Sequence, residues 1–217
     1  MTDMPVFGIL CCGKDISELS LSVKACGHIT DILKDSGFVL GGYHTALAAK
    51  NDEKLSKMCK SKLSHLCRTC DIVFTVGCDG FAHDDILPEI TAELCDSEAV
   101  FFTSNLCGIS SIANYDATTS CNVRQTRKRK NSFLPSRSRA GIIGKCLLLN
   151  IRNDLSFIKA TLPPLIPSIA FATSCLSGKD ANICQKLNES LKHFCEIPDS
   201  QRKKFFENIQ NFEIKKS

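Results

Sequence analysis

The chain lacks several signatures that assign a function at a glance. No apolar run reaches 18 residues, so no segment reads as a membrane span. The first residues, Met1-Thr-Asp-Met, carry no basic region, and Pro5–Cys12 is too short for a secretory core, so the expected location is the cytoplasm. Cys67-Arg-Thr-Cys70 has no second cysteine pair to complete a zinc site, even with His65 nearby, and reads as thiols at a helix end. Gly141-Ile-Ile-Gly-Lys145 is too short for a P-loop and has no Ser or Thr after its lysine. No aromatic residue interleaves with Arg127-Lys-Arg-Lys130, which excludes base stacking there and leaves nucleic acid an unexpected partner. There is no internal repeat.

What the chain has is enough for one sizeable core and a tail in 217 residues. Fourteen cysteines are scattered without a secretory signal, so they read as reduced thiols, several of them (Cys11, Cys59, Cys146) serving as small hydrophobes. The formal charge of +4 is uneven. Arg124, Arg127, Lys128, Arg129, Lys130, Arg137 and Arg139 lie between residues 124 and 139 with no acid among them. Removing them leaves the rest of the chain net negative, so the basicity is a local patch. It reads as a solvated loop, with nuclear import or a basic-directed kinase as the functional alternatives.

Hydrophobic periodicity predicts alternating elements. Val6–Cys11 reads as a central strand, and Leu19, Val23, Cys26, Ile29 and Leu33 follow helical spacing over 16–35, stopping before Gly37. Phe38–Tyr43 reads as a strand and Glu53–Cys67 as a helix. A strand over 71–76 and a helix opening near Pro88 come next, then an irregular stretch over 102–139. Helices are expected at about 154–162, 181–195 and, with Phe205, Ile209 and Phe212 on one face, within 201–214. Strands alternating with such helices imply a three-layer α/β sandwich, a mostly parallel sheet with helices on both faces. The expected organisation is one domain over 1–176 and a helical extension over 177–217.

The most informative segment is Asp71-Ile-Val-Phe-Thr-Val-Gly-Cys-Asp-Gly-Phe-Ala-His-Asp-Asp-Ile-Leu-Pro-Glu-Ile-Thr91. Ile72, Val73, Phe74 and Val76 read as a strand buried on both faces. It enters a turn bracketed by Gly77 and Gly80, with Pro88 and Glu89 suited to a first helical turn. Strand, glycine turn and helix N-terminus together suit an anion, since glycines admit close backbone approach and the helix dipole favours negative charge. Asp79, Asp84 and Asp85 crowd the same turn, which calls for a divalent cation, with Mg²⁺ the usual choice, between them and a phosphate. On the residues alone Asp85 is better suited to a helix N-cap, and His83 to a solvated loop position.

The string Gly-x-x-Gly-Phe-Ala-x-x-Asp-x-x-Pro-Glu-x-Thr resembles the signature of the molybdopterin-binding family of Mog-type proteins and the gephyrin G domain. Gly77, Gly80, Phe81, Ala82, Asp85, Pro88, Glu89 and Thr91 match it. Downstream, Ser136-Arg137, Gly141-Ile142, Gly144-Lys145 and Leu147-Leu-Leu-Asn150 resemble the family's second segment, and Leu162-Pro-Pro-Leu-Ile-Pro167 its closing one. The resemblance spans roughly residues 5 to 176. It implies a Mog/gephyrin G fold, a homotrimer, and molybdenum cofactor biosynthesis by adenylylation of molybdopterin with MgATP. It further implies that Asp85 is catalytic and holds Mg²⁺. Gly77, Gly80, Phe81, Ala82, Ser136, Gly141 and Asn150 would bind the pterin and ATP.

The departures fall in the site. Cys78 and Asp79 stand where the family has Gly-Thr, His83 where it has Pro, and Asp84 where it has Arg. Losing a glycine is unfavourable if φ is positive at Cys78, and Asp79 and Asp84 set negative charge against the expected phosphate. Leu10-Cys-Cys-Gly-Lys14 replaces Thr-Val-Ser-Asp, Lys24-Ala-Cys-Gly27 replaces Asp-x-Ser-Gly, and Asn150-Ile-Arg-Asn-Asp154 replaces Asn-Leu-Pro-Gly-Ser. Lys50, with Asp52 two residues on, covers the second catalytic aspartate. These substitutions predict an impaired adenylyltransferase, with an inactive pterin- or partner-binding protein on the same fold as the alternative.

Overall fold

A computed structural model describes residues 4–47, 52–107 and 136–178. The strands are β1 (Val6–Gly13), β2 (Val39–Leu47), β3 (Ile72–Val76), β4 (Ser97–Glu98), β5 (Ala140–Ile143) and β6 (Cys146–Ile151). The helices are α1 (Ile16–Asp35), α2 (Asp52–Thr69), α3 (Leu87–Leu94), α4 (Val100–Leu106) and α5 (Leu155–Ser177). The six-stranded sheet runs β2-β1-β3-β6-β5-β4. The pairings β2-β1, β1-β3 and β3-β6 are parallel, and β5 and β4 join as an antiparallel edge.

The strands are apolar on both faces because both faces are covered. Phe7, Ile9, Cys11, Ile72, Phe74, Val76, Leu147 and Leu149 point to one core with α1, α4 and α5. Leu10, Cys12, Val73, Cys146 and Leu148 point to the other, with α2 and α3. The three-layer α/β arrangement expected from the periodicity is the one observed.

Helix α1 has the bounds its spacing predicts, and its start is specified locally. Asp15 caps it, accepting from the Glu18 N–H at 2.8 Å, while Glu18 Oε2 accepts from the Lys14 N–H at 2.9 Å. This is a capping-box exchange displaced by one residue, and it fixes the backbone of Lys14. Strand β2 runs on to Leu47, beyond the Tyr43 expected from its apolar stretch, because β1 templates it through Gly13.

Helix α5 is the main correction. The helix expected at about 154–162 continues through Pro163, Pro164 and Pro167 to Ser177 and closes at Gly178, with φ 68°. Each proline removes a helical N–H, but Ile158, Leu162, Leu165, Ile166 and Ile169 keep one continuous buried stripe. Burial at about 1.5–3 kcal/mol per side chain outweighs the missing bonds. Taken whole, α5 is long and apolar enough to cross a membrane by length and composition, although no unbroken apolar run of that length exists. Its buried stripe belongs to the core described above.

Residues 102–106, expected to be irregular, lie in α4. The helices expected over 181–195 and 201–214, the basic run 124–130 and Lys50 lie outside the described residues.

Candidate functional site

Strands β1, β3 and β6 are parallel, so their carboxyl ends share one edge of the sheet. The connection from β1 goes outward to β2, and the chain then returns to β3 on the other side of β1. That reversal opens the crevice in which doubly wound sheets bind ligands. Lys14 follows β1, the turn Gly77–Asp85 follows β3, and Ser136–Arg139 enter β5 beside the end of β6.

The turn starts with two left-handed residues, Gly77 at φ 87° and Cys78 at φ 50°. A Cβ on Gly77 would come within 2.5 Å of the Cys12 carbonyl oxygen and Ser22 Oγ, so only glycine fits. Its N–H donates to the Ile151 carbonyl at 3.2 Å, so it serves the sheet and not a phosphate. Cys78 does take the positive φ at which the family's glycine is missed, and its side chain is buried beside Leu10 and Cys12. Gly80 matters for a different reason: a Cβ there would approach Asp85 Oδ2 to 2.6 Å.

Two buried carboxylates emerge from this turn. Asp79 Oδ2 accepts from Ser136 Oγ at 2.5 Å and Ser138 Oγ at 2.7 Å. Asp79 therefore does not face an anion as expected; it is 7% exposed and bonded to hydroxyls. Asp85, 5% exposed, accepts from the Ala82 N–H through Oδ2 at 2.9 Å and pairs with Lys14 through Oδ1 at 2.8 Å. It is not the N-cap of α3. That position is Ile86, with no side-chain cap bond, and Pro88 lies in the first turn as expected.

Lys14 also pairs with Asp84 at 3.1 Å. Burial alone would lower the Lys14 pKa, but hydrogen bonds to Asp85 and Asp84 and the surrounding negative charge outweigh it and hold the ammonium protonated well into alkali. The same lysine holds the Asp84 carboxyl below the usual carboxylate range. Asp84, expected to repel a ligand, is thus already neutralised.

Arg137 fastens the turn. It donates to the carbonyls of Gly80 at 2.5 Å and Asp85 at 2.6 Å, pairs with Glu89, and lies 5.9 Å from the centre of the Phe81 ring. Arg137 therefore belongs to the site and not to a free basic patch. Phe81 is 66% exposed, a flat apolar face at the mouth of the turn.

Of the residues expected in the site, Gly77, Gly80, Phe81, Ala82, Asp85 and Ser136 come together. Asn150 and Gly141 lie apart from them. Asn150 bonds Thr75 and Thr91 at 2.7 Å each and accepts from the Arg139 N–H, joining β3, β6 and α3. Gly141 packs on Cys95 and Ser97 at the antiparallel edge. A pocket of about 240 Å³ lined by Thr91, Cys95, Asp96, Glu98 and Arg139 contains none of the turn residues. Lys14, Glu18 and Arg137 had no assigned role in the sequence reading. The available signals were the position of Lys14 just after the first strand, in a stretch that departs from the family pattern, and the Ser136-Arg137 match.

The residues present do not suit Mg²⁺. Among the described residues, one group of three has ligand atoms within 4.8 Å of one another: Glu18, Cys78 and Asp85. A thiol is a poor ligand for a hard cation, and both oxygens of Asp85 already have partners. The cysteines of the described residues are free thiols, as expected. Many are packed in pairs such as Cys12 and Cys59, with sulfurs 3.6 Å apart.

No protein-family model matches the chain, and no curated protein sequence does. Solved structures do. The MoaB molybdopterin biosynthesis enzyme of Thermus thermophilus aligns over 81% of this chain and 98% of its own, at 22% identity and a TM-score of 0.63. A molybdenum cofactor biosynthesis protein B aligns over 82% and 98%, at 18% identity and a TM-score of 0.61. The tungsten cofactor synthesizing protein MoaB of Pyrococcus furiosus aligns over 78% and 94%, at 17% identity and a TM-score of 0.56. The chain has the fold of these MoaB and Mog proteins.

Proposed function

We propose that this chain acts in molybdenum cofactor biosynthesis and binds molybdopterin at the Gly77–Asp85 turn. One observation carries the reading. The residues that match the molybdopterin-binding signature converge at the sheet edge where this fold takes its ligands, and the proteins sharing the fold are named for that pathway. Phe81 offers a ring face for stacking a pterin, and Arg137 a nearby positive charge. The Ser136 hydroxyl, next in the chain to Arg137, is tied to the same turn through Asp79.

The finer reading is adenylylation of the pterin phosphate with ATP, at reduced turnover. What the chain contributes to such a transfer is position and charge complementarity around a buried carboxylate. A second reading, binding without turnover, is favoured by the grip of Lys14 on Asp85. Homotrimeric assembly rests on the sequence resemblance, and light scattering at micromolar concentration tests it.

Incubation of the protein with molybdopterin and MgATP separates the readings. Adenylylated pterin and pyrophosphate that vanish in Asp85→Asn support the enzyme. Pterin binding with no product supports the second reading. Neither binding nor product withdraws the proposal.

A further inference from the structure

The misfit between Asp85 and a hard divalent cation has a specific cause, and it is one side chain. Lys14 Nζ lies 2.8 Å from Asp85 Oδ1 and 3.1 Å from Asp84 Oδ1, bridging the carboxylates that the turn offers to a metal. Its backbone is held by Glu18, which caps the following helix start, and Asp15 completes that cap. The lysine is thus placed by the helix terminus and not by a loose surface contact. Only 24% of its side chain is exposed, against 6% for Asp85.

We propose that Lys14 is the resident cation of this site: its ammonium holds the position between Asp84 and Asp85 that a divalent ion would occupy, and the site works without one. An ammonium with short directed bonds to both carboxylates neutralises them as a point charge. A divalent ion entering beside it would meet like charge and would find Asp85 Oδ2 already bonded to the Ala82 N–H. The further groups within reach among the described residues are the Glu18 carboxylate, whose Oε2 already accepts from the Lys14 N–H, and the Cys78 thiol, which suits softer metals.

This inference rests on the proposed site, but its test needs no pterin. Mn²⁺, a paramagnetic stand-in for Mg²⁺, is titrated against the purified full chain and free ion is read by electron paramagnetic resonance. The wild type is expected to show no saturable site. Lys14→Met, which keeps the apolar stem, is expected to bind one Mn²⁺ at least about tenfold tighter, equivalent to about 1.4 kcal/mol. Lys14→Met combined with Asp85→Asn is expected to lose that site, and Lys14→Arg to behave as wild type. Circular dichroism checks that each variant is folded. Stoichiometric Mn²⁺ binding by the wild type that disappears in Asp85→Asn overturns the proposal, and this arm requires no folded Lys14 variant. No gain in a folded Lys14→Met overturns it too. If the metal results hold but molybdopterin does not bind, the proposed function fails and the lysine assignment stands.

Discussion

Asp79 and Asp85 are six residues apart in one turn and both are buried, yet the molecule satisfies them in opposite ways. Asp79 is held by two neutral hydroxyls, Ser136 and Ser138, both from the segment entering β5. Asp85 is held by a backbone N–H and a charged ammonium from the end of β1. The hydroxyls join two segments that pack tightly, so the Asp79 arm is a tie between β3 and β5. The Lys14 partner of Asp85 is partly exposed and also serves the exposed Asp84, so this arm stays coupled to solvent and ions. The difference separates a structural carboxylate from an adaptable one within a single motif.

Both arms depend on the turn that presents them, so the largest effect is expected at its base. Gly77→Ala combines a positive φ with a clash against backbone, about 1–2 kcal/mol for the first and 1–3 kcal/mol for the second. Urea unfolding should therefore show a loss of about 3 kcal/mol or more. Gly144 has φ 57° but open space for a Cβ, and Gly144→Ala should lose only about 1–2 kcal/mol. Equal losses at the two glycines would remove the clash from the account.

Next comes the neutral arm. Asp79→Ala removes the carboxylate that both hydroxyls donate to, leaving Ser136 and Ser138 bonded to each other, and should lower stability by about 1–3 kcal/mol at low and high salt alike. A loss that shrinks strongly with salt would mean that Asp79 is held by charge after all.

The charged arm should respond differently. Lys14→Met should lower stability by about 1–3 kcal/mol at neutral pH, below the full value for a buried pair because the lysine is partly exposed. Its pH dependence has a definite sign. Lys14 depresses the Asp84 pKa below its usual 3.8, so the contribution is present above that value and is lost as pH falls through the lower folded one. The raised pKa of Lys14 adds stability that is complete below 10.5 and fades only as alkali reaches the folded value. Unfolding curves between pH 2 and 7 should therefore be flatter in acid for Lys14→Met than for the parent. Identical acid slopes would contradict the pairing.

The smallest effect is expected at the rim. Arg137 pairs with Glu89, whose side chain is 54% exposed. Glu89→Gln should change stability by less than about 1 kcal/mol, because the guanidinium keeps its two carbonyl bonds. A larger loss would make the ion pair, and not those backbone bonds, the fastening of the turn.

Much of the parallel half of the fold was legible in the sequence. Leu19 through Leu33 give the period of α1, and the unbroken apolar run 72–76 gives β3. Local signals failed where a neighbour overruled them. The sequence 44–47 has no strand signature of its own, yet β1 pairs with it. The proline cluster of α5 is a local stop that a buried stripe overrides. Strands β4 and β5 are short and gain their definition from β6.

The site divides along the same line. Gly77, Gly80, Asp85 and Pro88 are close in sequence, so the turn and its carboxylates could be read as one object. The chain alone determined that a strand, a glycine turn and a helix would set Asp79, Asp84 and Asp85 at the carboxyl edge of the sheet, because backbone preference and apolar periodicity are short-range. Only the tertiary structure decided what those carboxylates meet. Ser136 and Ser138 for Asp79, Lys14 for Asp84 and Asp85, and Arg137 for the turn's carbonyls come from distant segments. A buried charge is defined by its partner, and the pairing is set by which strand ends the parallel sheet lays side by side.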